Sequence, residues 1–211
     1  MGLFDDLFGA AKNAAANAAR SAGRTVTNEA QSAVQQAARS AVSQGKITKV
    51  PLASLPRTLA ELQAMPEAAL TDPNAAAALT IAALCAFPQD RAACYEMLNF
   101  LRGPRPMSPM DEAFIRDRFM DGKDYLPRSY FDGAKPDNDY TPDQPLAVTV
   151  KEQTNSREQE GYITLYLFSG GADNPRPVTF RNKPSTGQWF LWEYSGLLSG
   201  IRIPKSRDEW A

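Results

Sequence analysis

Hydrophobic and polar positions follow two different rhythms along this chain, and the first is helical. Leu3, Phe4, Leu7, Phe8, Ala11, Ala14, Ala15 and Ala18 recur at helical spacing, so a helix gathers them on one face. Asp6, Asn13, Asn17, Arg20 and Arg24 fall on the other face. The same phase returns between Asn28 and Gln44 through Ala30, Val34, Ala37, Ala38, Ala41 and Val42, after a join weakened by Gly23, Thr25 and Thr27. Gly45 is placed to cap its end. Residues 1–46 therefore read as an Ala-rich amphipathic helical arm, residues 47–56 as a linker, and residues 57–211 as one compact domain.

Within that domain the helical rhythm comes first and the two-residue rhythm second. Thr58 precedes a short helix over 59–65, and Thr71-Asp72-Pro73 is a stronger start signal, a capping side chain followed by proline at the first helical position. Pro88-Gln89-Asp90 breaks and restarts the chain. The next helix, over 91–101, turns Ala93, Met97, Leu98 and Leu101 inward. Ser108-Pro109 opens a further helix through Phe114, Ile115 and Phe119, and residues 121–145 read as a long loop rich in Asp, Pro, Gly and Tyr. Strand-like runs follow over 146–151, 162–168, 177–181 and 188–192, separated by short turn sequences. Helices then strands with short connections predict an α+β class: the helical arm, a helical half, and an antiparallel β-meander. Leu197, Leu198, Ile201 and Ile203 are expected to pack the C-terminal tail across the sheet.

Composition sharpens the division. The first fifty residues carry a net charge of +3 and only two of the aromatics, Phe4 and Phe8, and every proline lies at Pro51 or beyond. Over all 211 residues the net charge is −1, which speaks against a strongly basic nucleic-acid binder. Histidine is absent, which removes Ser-His-Asp and Cys-His catalysis and imidazole metal sites. Cys85 and Cys94 are too few for a four-thiolate site and read as buried free thiols. No cofactor and no metal is expected. Gly2 would suit myristoylation, but Asp6 stands where the motif needs Ser or Thr. No secretory signal is read, and the expected location is the cytoplasm, including the inner face of the membrane.

Five long stretches carry a resemblance: LPRTLAELQAMPEAALTDPNAAAALTIAALC, EMLNFLRGPRPMSP, SYFDGAKPDNDYTPDQPL, SGGADNPRPVTFR and STGQWFLWEYSGLLSGIRIPKS. In that order, over about residues 54–211, the chain resembles an uncharacterised bacterial family, a domain of unknown function. The resemblance implies a bacterial, intracellular protein. It brings no reaction, ligand or residue role.

The candidate chemistry lies at the two ends. Leu3, Phe4, Leu7 and Phe8 are anchoring candidates, each large enough to contribute about 1.5–3 kcal/mol on burial in a membrane interface or against a partner. The plain alternative is a helix folded back on its own domain, and a third is homo-oligomerisation through the arm. Near the other end, Arg176, Arg181, Lys183, Trp189, Trp192 and Arg202 form a basic and aromatic cluster suited to a phosphate, a carboxylate or an acidic partner. Alternation puts Trp189 and Leu191 on one sheet face, Phe190 and Trp192 on the other. Glu193, Asp208 and Glu209 would offset part of the charge. Asp137, Asp139 and Asp143 have spacing loosely like a calcium loop, but Pro142 and Val148 stand where that loop needs glycine and glutamate. Gly170-Gly171-Ala172-Asp173-Asn174 reads as a hairpin turn.

The expected function is non-catalytic. The domain binds a protein partner, and the arm tethers it to a membrane surface or an assembly. The alternatives are an enzyme or small-anion binder using the Arg/Trp cluster, and an oligomer-forming structural protein. No role in nucleic-acid binding is expected.

Overall fold

In the computed structural model, which describes residues 45–210, the meander is the frame. Five antiparallel strands lie in chain order: β1 (Lys46–Pro51), β2 (Ala147–Glu152), β3 (Tyr162–Leu167), β4 (Arg176–Lys183) and β5 (Gln188–Glu193). Five α-helices separate β1 from β2: α1 (Leu59–Gln63), α2 (Pro73–Cys85), α3 (Arg91–Arg102), α4 (Pro109–Arg118) and α5 (Tyr125–Arg128). The class is α+β, a helical half followed by the meander. The predicted arm, with Leu3, Phe4, Leu7 and Phe8, lies outside the described residues.

The core is organised by α2. Asp72 accepts the Asn74 N–H at 2.8 Å and Pro73 opens the first turn. From there every residue from Ala76 to Leu84 is buried. A helix apolar all round belongs inside a protein. It packs on β1, β2, β3 and β5 on one side and on α3 and α5 on others. Its alanines let these elements come close, while Leu79, Ile81 and Leu84 supply the apolar area. The hydroxyl of Thr80 is satisfied by the Ala76 carbonyl at 2.8 Å. The sheet meets this helix through Val50, Val148, Val150, Ile163, Leu165, Leu167, Val178, Phe180 and Leu191, all buried. Alternate residues, Tyr162, Thr164, Tyr166, Thr179 and Trp192, occupy the opposite face and are half-buried.

The structure departs from the sequence reading in several places. The predicted linker over 47–56 opens with β1, six residues paired with β2 from Lys46↔Glu152 to Pro51↔Ala147. Pro51 is tolerated because it closes an edge strand. The loop over 121–145 carries α5 and a 3-10 turn, Pro136–Asn138, and its Tyr130 and Tyr140 are buried. These tyrosines donate to the Leu197 and Arg202 carbonyls at 2.8 and 2.6 Å, which pins the C-terminal tail. Leu197, Leu198 and Ile201 of that tail are buried as expected, but Ile203 is 45 % exposed. Among the described residues, no helix is long and apolar enough to cross a membrane.

Candidate functional site

The α3–α4 turn brings basic residues onto the outer face of β5. Helix α3 begins at Asp90, which accepts the Ala93 N–H at 3.0 Å, and ends at Gly103 with φ +57° and ψ −117°. Glycine enters that region without steric cost. A Cβ on Gly103 would stand 2.3 Å from the Phe190 ring, so the missing side chain also permits the close approach. Pro104 and Arg105 then fold over the β4–β5 edge. Ser108 closes the turn with a capping box: it donates to Asp111 and receives the Asp111 N–H.

Between this turn and the strands lies a half-open cleft of about 420 Å³, lined by Arg102, Arg105, Arg181, Lys183, Phe190 and Trp192, with Pro104, Asn182 and Pro184 between them. Trp192 is its centre. The Arg105 guanidinium carbon lies 4.3 Å from the indole centre and that of Arg181 lies 5.1 Å from it. Arg181 also stacks on Tyr162 at 5.5 Å, and Tyr162 meets Trp192 edge-on with centroids 5.4 Å apart.

The cleft carries excess positive charge. Arg102 is buried at its back. It donates to the Arg105 carbonyl at 3.1 Å and reaches an Asp111 oxygen at 3.5 Å. That oxygen already accepts the Ser108 N–H and O–H, each at 2.8 Å. Burial pushes the Asp111 carboxyl up, but these bonds and the charges of Arg102 and Arg105 outweigh it and hold the group below the ordinary carboxylate range. Tyr194 stands beside Arg102, whose guanidinium carbon is 5.8 Å from its ring centre. Burial drives the Tyr194 phenol well above its ordinary value, so it stays protonated. Among the described residues, Arg105, Arg181 and Lys183 form no ion pair with a carboxylate.

The predicted cluster is thus divided. Arg181, Lys183 and Trp192 come together in the cleft. Trp189 faces the other way, packs against the core and donates its backbone N–H to the Leu70 carbonyl at 2.8 Å. Arg176, at the far end of β4, donates to the Gly200 carbonyl at 2.6 Å, and Arg202 pairs with Asp173 at 3.0 Å. These two fasten the tail. Glu193 accepts the Ser195 N–H at 2.7 Å, and Asp208 the Trp210 N–H at 3.0 Å. Arg102, Arg105 and Phe190 complete the cleft. Arg105 sits in Gly103-Pro104-Arg105-Pro106, a rigid turn whose stiffness is the one sequence sign of a positioned side chain.

Two other features carry less chemistry. A second cavity of about 850 Å³ opens between the 54–58 segment, Cys85, Asp90 and α5. Burial pushes the Cys85 thiol up to about 12, so it is a poor nucleophile at neutral pH. Arg128, in the same wall, is held by Asp124 at 3.1 Å. The calcium-like carboxylates are engaged elsewhere: Asp139 accepts the Ser206 hydroxyl at 2.7 Å, and Asp137 faces Lys205 at 3.6 Å. Among the described residues, no group of three or more His, Cys, Asp or Glu side chains converges.

No curated protein and no solved structure matches the chain. A family model does, over residues 54–205, a span that holds every cleft residue and starts after β1. The chain belongs to that family, described as a domain of unknown function, DUF6935.

Proposed function

We propose that this chain is a non-catalytic, intracellular bacterial binding protein. Its folded domain holds an acidic segment of a partner protein in the Arg–Trp cleft. Residues 2–10 tether it to a membrane surface or an assembly through Leu3, Phe4, Leu7 and Phe8. The observation that carries the reading is the trio Arg105, Arg181 and Lys183, three cations in one cleft without a carboxylate partner among the described residues, two of them stacked on the Trp192 indole. Cations stacked on an aromatic ring keep their in-plane N–H donors available for an incoming anion. The cleft is half-open, and Arg176 and Trp189 stand away from it, which favours a passing chain over an enclosed small substrate. A protonated Cys85 thiol and the lack of histidine weigh against nucleophilic catalysis.

The test is fluorescence anisotropy of a labelled Asp/Glu-rich peptide with the full chain and with an Arg105→Glu/Arg181→Glu double variant. Both side chains are exposed, so the core is untouched. Binding should weaken with added salt and fall about tenfold or more in the double variant. Equal binding by both proteins would overturn the reading.

A further inference from the structure

We infer that the anion this cleft is built for is a phosphomonoester dianion rather than a carboxylate, an assignment that rests on the cleft being the anion-recognition site. The charge balance points there first. Four cations, Arg102, Arg105, Arg181 and Lys183, line the cleft; among the described residues Asp111 is the one carboxylate ion-paired with any of them, and Glu193 feels the charge of Arg102 without pairing to it. Its approach to Arg102 is long, 3.5 Å, because the same oxygen serves Ser108. A carboxylate brings one charge and two coplanar oxygens, enough for a single guanidinium. A phosphomonoester brings about −1.5 to −2 charges and three oxygens at tetrahedral angles, enough to engage several donors that do not share a plane.

The placement of the cations matches that shape. Arg105 comes from the α3–α4 turn and Arg181 from β4, and one indole fixes both, at 4.3 and 5.1 Å. Lys183 lies two residues from Arg181, on the same side of the strand. Its compact ammonium adds a third direction of approach. Phe190 and Trp192 supply an apolar wall for the carbon chain that carries the phosphate. The chemistry is shared by a phosphorylated side chain on a partner and by a free small phosphomonoester.

Isothermal titration calorimetry on the full chain at fixed ionic strength separates these cases. The probes are a short Gly-rich peptide with one phosphoserine, the same peptide with Glu in its place, and free O-phosphoserine. At pH 7.5 the phosphopeptide should bind about tenfold or more tighter than the Glu peptide. The gap should narrow towards pH 5 as the phosphate, with its second pKa of about 6, takes up a proton. The chain has no histidine, and the acids that feel Arg102 are shifted away from this window, Asp111 and Glu193 downward and Tyr194 upward, so the change belongs to the ligand. Arg181→Gln and Lys183→Gln, both at exposed positions, should each remove several-fold of the preference. Free O-phosphoserine binding as tightly as the peptide supports the dianion assignment with a small phosphomonoester as its source. Equal affinity for the two peptides at pH 7.5, with both lost in the variants, overturns the phosphate assignment and leaves the acidic-segment reading standing. No binding of any probe overturns the phosphate assignment, and the acidic-segment reading then stands or falls on the Asp/Glu-rich peptide.

Discussion

The Arg105 guanidinium is held 4.3 Å from the centre of the Trp192 indole although 86 residues of chain lie between them. The contact depends on the tight end of α3, where Gly103 adopts φ +57° and ψ −117° against the Phe190 ring. The cleft is therefore a product of backbone geometry at one residue as much as of its charged side chains.

Gly103→Ala tests that dependence. A Cβ there meets the Phe190 ring at 2.3 Å and forces an unfavourable backbone region. The variant should lose about 1–3 kcal/mol in urea unfolding. It should also bind the acidic peptide more weakly, because the turn that presents Arg105 must move. Unchanged unfolding and unchanged binding would show that the turn relaxes freely.

Asp111 gives the domain a pH signature. Burial raises its pKa, but the Ser108 bonds and the Arg102 and Arg105 charges prevail, so its folded value lies below the ordinary 3.8. A group depressed on folding stabilises fully above its unfolded value, and that contribution is lost as pH falls through the folded value. The stability gap between the parent chain and Asp111→Asn should therefore be constant above about pH 5 and shrink as pH drops below the ordinary carboxylate range. Denaturant unfolding from pH 6 to pH 2.5 measures it. A gap that grows on acidification would contradict the assignment.

The predicted anchoring stripe lies outside the described residues and is testable on the whole chain. With Leu7→Ser and Phe8→Ser combined, the apolar contribution of two of the four large residues disappears, roughly 1.5–3 kcal/mol each. In liposome flotation the parent chain should float and the double variant should stay at the bottom of the gradient. Identical behaviour of the two in the gradient would remove Leu7 and Phe8 as a membrane anchor.

Much of this architecture is legible in local sequence, because caps and alternation are local. Asp72-Pro73, Asp90 and Ser108-Pro109 each start a helix where their side chains bond the first free N–H groups. The alternation through Trp189-Phe190-Leu191-Trp192 places the two sheet faces correctly, with Leu191 inside and Trp192 outside.

What escaped local reading is long-range. Lys46-Ile47-Thr48-Lys49-Val50-Pro51 shows little apolar content, and its partner strand lies about a hundred residues downstream, so nothing nearby marks it as β1. Arg176 and Arg181 are five residues apart in one strand, which carries them to opposite ends of the sheet at about 3.3 Å per residue. Nearness in sequence grouped them; the strand's length and the odd spacing, which puts them on opposite faces, separated them. Arg102 and Arg105 were beyond such reasoning for the converse cause: the folding of α3 against β5 brings them to Trp192.

The position of β1 has a mechanical consequence. A load applied to the start of β1 enters the domain along this strand. Its six pairings with β2, from Lys46↔Glu152 to Pro51↔Ala147, form a lap joint, and a pull along the strand strains them together rather than one after another. Just beyond, Leu52 is buried and bonded to the Leu146 carbonyl at 2.9 Å, which extends the joint by one more rung. A pull on Lys46 along β1 is thus shared across the width of the seam before it reaches α2 and the core.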